Sequence, residues 1–274
     1  MIIKDKTSEE KIEQVKELRP IDDVFFEVLA EDPGVCEEIL RVIMNDEGLV
    51  VESVIVQSSK RNIYGRSVRL DTLCILSSGK RVNIEVQRSD NDDHLRRVRF
   101  NSASITVKDS QIGGAFKEIV DVYVVYISQF DIFKGNSPIY HVDKVVRETG
   151  ETIDDGSAEI YVNTTIKDGS NVSDLMDCFT QKMVDNPKFP RLSNRVKWLK
   201  TTKGGAVAVC EVMERYQAEA VSKADREASI RTLVESYCDF DASRETIINK
   251  LISKFQLTET EASAKYEQYA PILK

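Results

Sequence analysis

The period of the apolar positions changes along this chain, and each change marks an element. After Pro20, in IDDVFFEVLAED, Val24, Phe25, Val28 and Leu29 recur at helical spacing, which predicts a helix broken by Asp32-Pro33-Gly34. A second helix, VCEEILRVIMN, is expected to end near Gly48. The period then shortens. Leu49 to Gln57 alternates weakly and reads as a strand. Residues 68 to 76 and 81 to 88 read as a hairpin closed by Ser77-Ser78-Gly79-Lys80. In its second arm Val82, Ile84 and Val86 face one way while Asn83, Glu85 and Gln87 face the other, which predicts a core face and a polar surface. A helix follows from Asp92 to about Val107, ending before Gly113-Gly114. The run DVYVVYIS, residues 121 to 128, is almost wholly apolar and suits a strand buried on both faces. This order of helices and strands predicts an α/β fold rather than a repeat or a bundle.

Residues 131 to 169 are rich in turn formers, with one short strand expected at AEIYVNTT. From Asn171 onward the pattern is helical: NVSDLMDCFTQKMVD, SNRVKWLK, a long helix from about Ala206 to Tyr237, RETIINKLISKF, and a last helix announced by the capping box Thr258-x-x-Glu261. The expected division is a polar N-terminal extension over 1–17, a core over 18–200 and a helical C-terminal region over 201–274, with TTKGG as the hinge.

Composition narrows the field. A 274-residue chain with 41% apolar and 31% charged residues is ordinary for a water-soluble domain, and no run approaches a membrane span. The charged N-terminal stretch has no apolar segment of the secretory kind. Five scattered cysteines without a C-x-x-C pair point to reduced thiols and a cytoplasmic protein, and only His94 and His141 could join them in a zinc site, at no ligand spacing. The net charge of −8 disfavours indiscriminate binding to polyanions. Locally the balance reverses: Lys60, Arg61, Arg66, Arg69, Arg81, Arg88, Arg96, Arg97 and Arg99 make the hairpin region net basic.

The hairpin carries the candidate chemistry. VRLDTLCIL and RVNIEVQ set Asp71 across the turn from Glu85, giving the pattern D-x13-E-x-Q with Gln87. Two converging carboxylates repel, so one takes a proton unless a cation neutralises both. Mg²⁺ meets that need with hard oxygen ligands and retained waters. A cation so held can activate water and offset charge developing on a phosphodiester. On spacing alone, ion pairs from these acids to Arg69, Arg81 or another surface base are the more ordinary reading, because D-x13-E-x-Q is a short pattern.

RPIDDVFFEVL, VRLDTLCIL and RVNIEVQ, followed by a basic helix and VYVVYIS, resemble the PD-(D/E)XK nuclease family transposases, which include the recombination-promoting nucleases of bacteria. The resemblance covers residues 18 to about 165. It implies a restriction-endonuclease-like mixed sheet flanked by helices, with a helical C-terminal extension. It also implies a Mg²⁺-dependent DNA endonuclease, able to use Mn²⁺, acting on mobile-element or foreign DNA. Asp71 and Glu85 would be the metal ligands and Gln87 the residue that supports the attacking water. Gln stands there where the wider superfamily has Lys; an amide orients water but supplies no charge. The double-strand cleavage common to such enzymes implies a homodimer.

Two segments depart from the family pattern. The first helix has Asp22-Asp23-Val24-Phe25 followed by Phe26 instead of Lys, and Arg97 is followed by Phe100 and Asn101 instead of an aromatic pair. Asp22 reads either as an auxiliary acid or as a helix N-cap. Arg97, with Arg96, reads either as a phosphate contact or, for Arg97, as the partner of Asp92, Asp93 or Asp121. His94 is expected at the surface, and Trp198 as packing between helices. These departures motivate the competing expectation of a catalytically weak or inactive binding or regulatory protein on a nuclease core.

Overall fold

A computed structural model describes residues 8–60, 68–91, 93–111 and 113–270. Of the residues singled out above, Arg61, Arg66 and Asp92, and the side chains of Lys60 and Arg69, lie outside that set. The helices are α1 (Ser8–Glu17), α2 (Asp23–Leu29), α3 (Pro33–Met44), α4 (His94–Asp109), α5 (Asn171–Thr180), α6 (Pro190–Thr201), α7 (Lys203–Asp239), α8 (Arg244–Phe255) and α9 (Glu259–Tyr269). The strands are β1 (Val51–Lys60), β2 (Val68–Leu76), β3 (Arg81–Gln87), β4 (Val122–Ser128), β5 (Ile139–Val142), β6 (Lys144–Val145), β7 (Thr152–Ile153) and β8 (Ser157–Asn163). No described helix is long and apolar enough to cross a membrane.

By contact density the chain divides into two compact units, Met1–Val212 and Met213–Lys274, with the boundary inside α7. The first unit is an α/β fold around a six-stranded mixed sheet in the order β1-β2-β3-β4-β8-β5. The expected hairpin is present: β2 pairs antiparallel with β3, and Gly79 closes the turn at φ +84°, a left-handed value that glycine adopts without strain. β3 then pairs in parallel with β4, and β4 with β8, so β4 sits deep in the sheet as its apolar sequence required. The β3–α4–β4 segment is the crossover that a parallel pair needs.

One expectation changes. The polar face of β3 is not a surface: residues Val82 to Val86 are all buried. Val98 and Ile105 of α4 pack onto that side of the sheet, against Val122, Val124 and Tyr126 of β4. α2 packs against β2 and β3, α3 packs against β1, and both meet α6.

Local signals explain most boundaries. Asp32 accepts a hydrogen bond from the Gly34 N–H (2.9 Å) and Pro33 occupies the first turn, so Asp-Pro-Gly starts α3 as well as ending α2. α3 stops at Asn45, which takes the left-handed conformation (φ 50°) expected further on at Gly48. In 131–169 the sequence pattern gave one strand; the fold has β5, β6, β7 and β8 there, the first three only two to four residues long. α5 ends at Thr180, short of the expected Asp185, with Gln181 extended. The TTKGG segment holds the α6–α7 junction, where Gly205 comes so close to the Trp198 carbonyl that a Cβ would sit 2.4 Å from it.

The second unit is a small helical bundle. Ile230 and Val234 of α7, Ile247 and Leu251 of α8 and Ala262 of α9 form its core. The capping box at the start of α9 is present: the Glu261 N–H bonds the Thr258 hydroxyl, and Glu261 accepts from the Thr258 N–H (2.9 Å).

Candidate functional site

The β2–β3 ladder runs from Ile75–Arg81 to Thr72–Ile84. One step further, Asp71 and Glu85 face each other, and there side chains replace the backbone acceptors. The Asp71 N–H donates to Glu85 Oε1 (3.3 Å), and the Val86 N–H donates to Asp71 Oδ2 (3.1 Å). The strands fork at this point, and each acid satisfies a backbone donor that the fork leaves without a ladder partner. Glu85 Oε1 also accepts from Asn83 Nδ2 (2.7 Å), while Asn83 Oδ1 is buried without a partner. Among the described residues, Oδ1 of Asp71 and Oε2 of Glu85 accept no hydrogen bond.

The electrostatics are those of a pair under strain. Burial, and then the charge of Glu85, push the Asp71 carboxyl well above the usual carboxylate range. Burial pushes Glu85 up to about 7, against the opposing hydrogen bonds from Asn83 and from the Asp71 N–H. The Arg97 charge opposes the rise at both acids, and Asp23 adds to it at both. Asp23, at the first position of α2, is an exposed residue overall, yet burial of its carboxyl raises it above the usual range.

The other expected residues are placed as follows. Gln87 lies on the same face as Glu85, half-buried, and its amide Nε2 donates to the Ser89 carbonyl (2.7 Å). Asp22 occupies the N-cap position of α2, but its carboxylate caps nothing; it accepts from the Arg19 N–H (2.6 Å) and pairs with Arg88 (2.7 Å) just past β3. The acid whose charge acts on the Asp71–Glu85 pair is its neighbour Asp23. Arg97 pairs with Asp93 (3.3 Å), with its Nε buried and without a partner, and Arg96 is exposed. Trp198 is half-exposed on α6, with the Arg195 guanidinium over its ring (4.8 Å to the ring centre) and Gly204 of α7 beside it.

His94 reverses its expectation outright. It is 6% exposed, with Nδ1 2.9 Å from the Tyr126 hydroxyl, Nε2 3.0 Å from Asp90 Oδ1, and its ring against Phe130. Tyr126 pairs with Glu85 in the β3–β4 register, and Tyr161 with Tyr126, so a polar row crosses the sheet beneath α4. Asn83 and Asp23 had a signal in the sequence, two residues before Glu85 on the same face and beside Asp22. Tyr126 and His94 had none, because only the pairing of β3 with β4 brings them in.

Residues 40–174 match the family model of the PD-(D/E)XK nuclease family transposases. The match spans just under half of the 274-residue chain. Its boundaries enclose the fork, α4 and all six strands of the main sheet. No curated protein and no solved structure matches the chain significantly. Nucleases of this family typically use divalent metals. Among the described residues no group of three or more His, Cys, Asp or Glu side chains is arranged to hold a metal. Two carboxylate oxygens without protein donors, on acids whose burial disfavours charge, fit a hard cation that keeps most of its waters, such as Mg²⁺, and not a closed thiolate or imidazole cage.

Proposed function

We propose that this chain is a Mg²⁺-dependent DNA endonuclease that hydrolyses phosphodiester bonds, with Mn²⁺ able to substitute. Asp71 and Glu85 would hold the cation, with Asp71 Oδ1 and Glu85 Oε2 as the oxygens not already engaged by protein donors. A bound divalent cation supplies the positive charge that lowers the pKa of water and offsets charge on the phosphate. Gln87 orients the attacking water once its amide leaves the Ser89 carbonyl. Arg97 and Arg96, at the start of α4, meet the phosphate backbone, with Arg97 exchanging Asp93 for phosphate. Asp23 adds negative charge at the rim of the pair.

The observation that carries this reading is the fork. A buried acid pair with raised proton affinity is costly to hold in a sheet interior, and a cation removes that cost. The test is cleavage of supercoiled plasmid with Mg²⁺ or Mn²⁺. Asp71→Ala is expected to lower the rate about a thousandfold, roughly 4 kcal/mol of barrier. Equal cutting by wild type and Asp71→Ala would overturn the assignment.

The engagement of Gln87 by Ser89 and of Arg97 by Asp93 favours a second reading, a binding or regulatory protein on a nuclease core. Calorimetric titration separates the two: a wild-type chain that binds neither Mg²⁺ nor Mn²⁺ at millimolar concentration supports the second.

A further inference from the structure

Asp90, His94 and Tyr126 form a continuous hydrogen-bonded chain that ends beside the acid pair. Asp90 precedes α4, His94 is its first residue, and Tyr126 is the β4 residue in register with Glu85. The chain is directional. The Asp90 carboxylate can only accept, so His94 Nε2 carries the proton on that side. In the neutral ring Nδ1 is then the acceptor, and the Tyr126 hydroxyl donates to it. Phe130 against the ring (4.9 Å) and the burial of His94 leave the imidazole one orientation.

This chain joins α4 to the sheet at the turn that carries Arg97. His94 and Arg97 are three residues apart and share one side of the helix. Tyr126 is 1% exposed, and after burial the charges of Arg97 and then Glu85 act most on its hydroxyl. The hydroxyl thus acts as a strut between β4 and the first turn of α4. Cut at His94, the first turn of α4 loses this tie to β4, and Arg97 on that turn loses the support it provides.

We propose that His94 is a positioning residue: anchored by Asp90, it holds the Tyr126 hydroxyl and, through it, the turn of α4 that places Arg97 beside Asp71 and Glu85. The proposal rests on the nuclease reading for its effect on rate. Its geometric part stands apart from that reading.

The experiment measures kcat and KM for plasmid nicking with Mg²⁺, together with the Nε–H signal of Arg97 in ¹⁵N-arginine-labelled protein, assigned by its loss in Arg97→Lys. His94→Ala and Tyr126→Phe should each lower kcat about tenfold with KM held within about twofold. The double variant should be no slower than the slower single one, because both break the same strut. His94→Asn, whose Oδ1 can accept from the Tyr126 hydroxyl, should keep about a third or more of the wild-type kcat. The Arg97 signal should shift or broaden in His94→Ala and return in His94→Asn. Losses that multiply to about a hundredfold in the double variant, or an Arg97 signal indifferent to His94→Ala, overturn the proposal. If the wild type cuts no nucleic acid while the Arg97 signal still follows His94, the nuclease reading fails and the positioning role stands. Should His94→Ala fail to fold, Tyr126→Phe and His94→Asn give the same decision.

Discussion

At the fork, Asp71 and Glu85 face each other, and burial raises both above the usual carboxylate range. In the C-terminal bundle, Glu227 and Glu261 are held below it. Glu227 takes hydrogen bonds first from Lys265 and then from Tyr269, and Glu261 first from the Thr258 N–H and then from its hydroxyl. The residue type is similar and the treatment is opposite. The bundle gives each acid donors and solvent, so its acids support the fold. The fork gives its acids each other, so they weigh against the fold and persist only if something outside the chain rewards them.

That contrast can be broken in three places. The largest effect is expected in the bundle core. Leu251 is fully buried in the α7–α8–α9 cluster, and Leu251→Ala should cost about 2–5 kcal/mol, read as lost hydrogen-exchange protection across residues 230–269. A loss under about 1 kcal/mol would mean that the bundle is not held by its core.

The second effect belongs to the fork and has a sign opposite to that of an ordinary surface acid. Glu85 is raised from 4.5 to about 7, so its neutral form is favoured in the folded state. The stability it contributes is complete below about pH 4.5 and is lost as pH rises through about 7, a fall of about 1–3 kcal/mol in metal-free protein. Urea unfolding in EDTA at pH 5 and pH 8, compared with Glu85→Gln, isolates this contribution. The wild type should lose more stability than the variant, and millimolar Mg²⁺ should close the gap. A gap that is the same with and without Mg²⁺ would count against a cation at the fork.

The smallest effect is at the α9 cap. Thr258→Ala removes the hydroxyl side of the capping box and should cost about 1 kcal/mol, seen as faster exchange in the first turn of α9. Thr258→Ser should restore most of it.

Much of this was legible in the chain, and the limits follow physical lines. Gly79 in its turn, the apolar run of β4 and the Thr258–Glu261 box are local signals, and each lies where its chemistry put it. The pairing of Asp71 with Glu85 followed from the hairpin, since alternate residues share a face. The burial of that face did not follow, because it depends on the helix between β3 and β4 packing onto that side of the sheet. His94 was misplaced for the same reason: Asp90 is its neighbour in sequence, but Tyr126 and Phe130 reach it only through the β4 register. Asp22 was the acid expected near the pair, and its neighbour Asp23 acts there instead, a difference of one residue of helix phase, finer than any periodicity in a two-turn helix. β5, β6 and β7 are too short to leave a pattern.

The exchange of hydrogen bonds at the fork has a consequence for descent. Each acid there completes the other strand's backbone pairing, so losing the carboxylate and losing the side chain are different events. A lineage that gave up cutting could drop the charge while keeping the acceptors, by Asp to Asn at 71 or Glu to Gln at 85. Removing the side chain altogether would open the sheet between its second and third strands. Retired copies of this chain should therefore carry amides at these positions more often than alanine, a trace of the former site written by the sheet rather than by selection for chemistry.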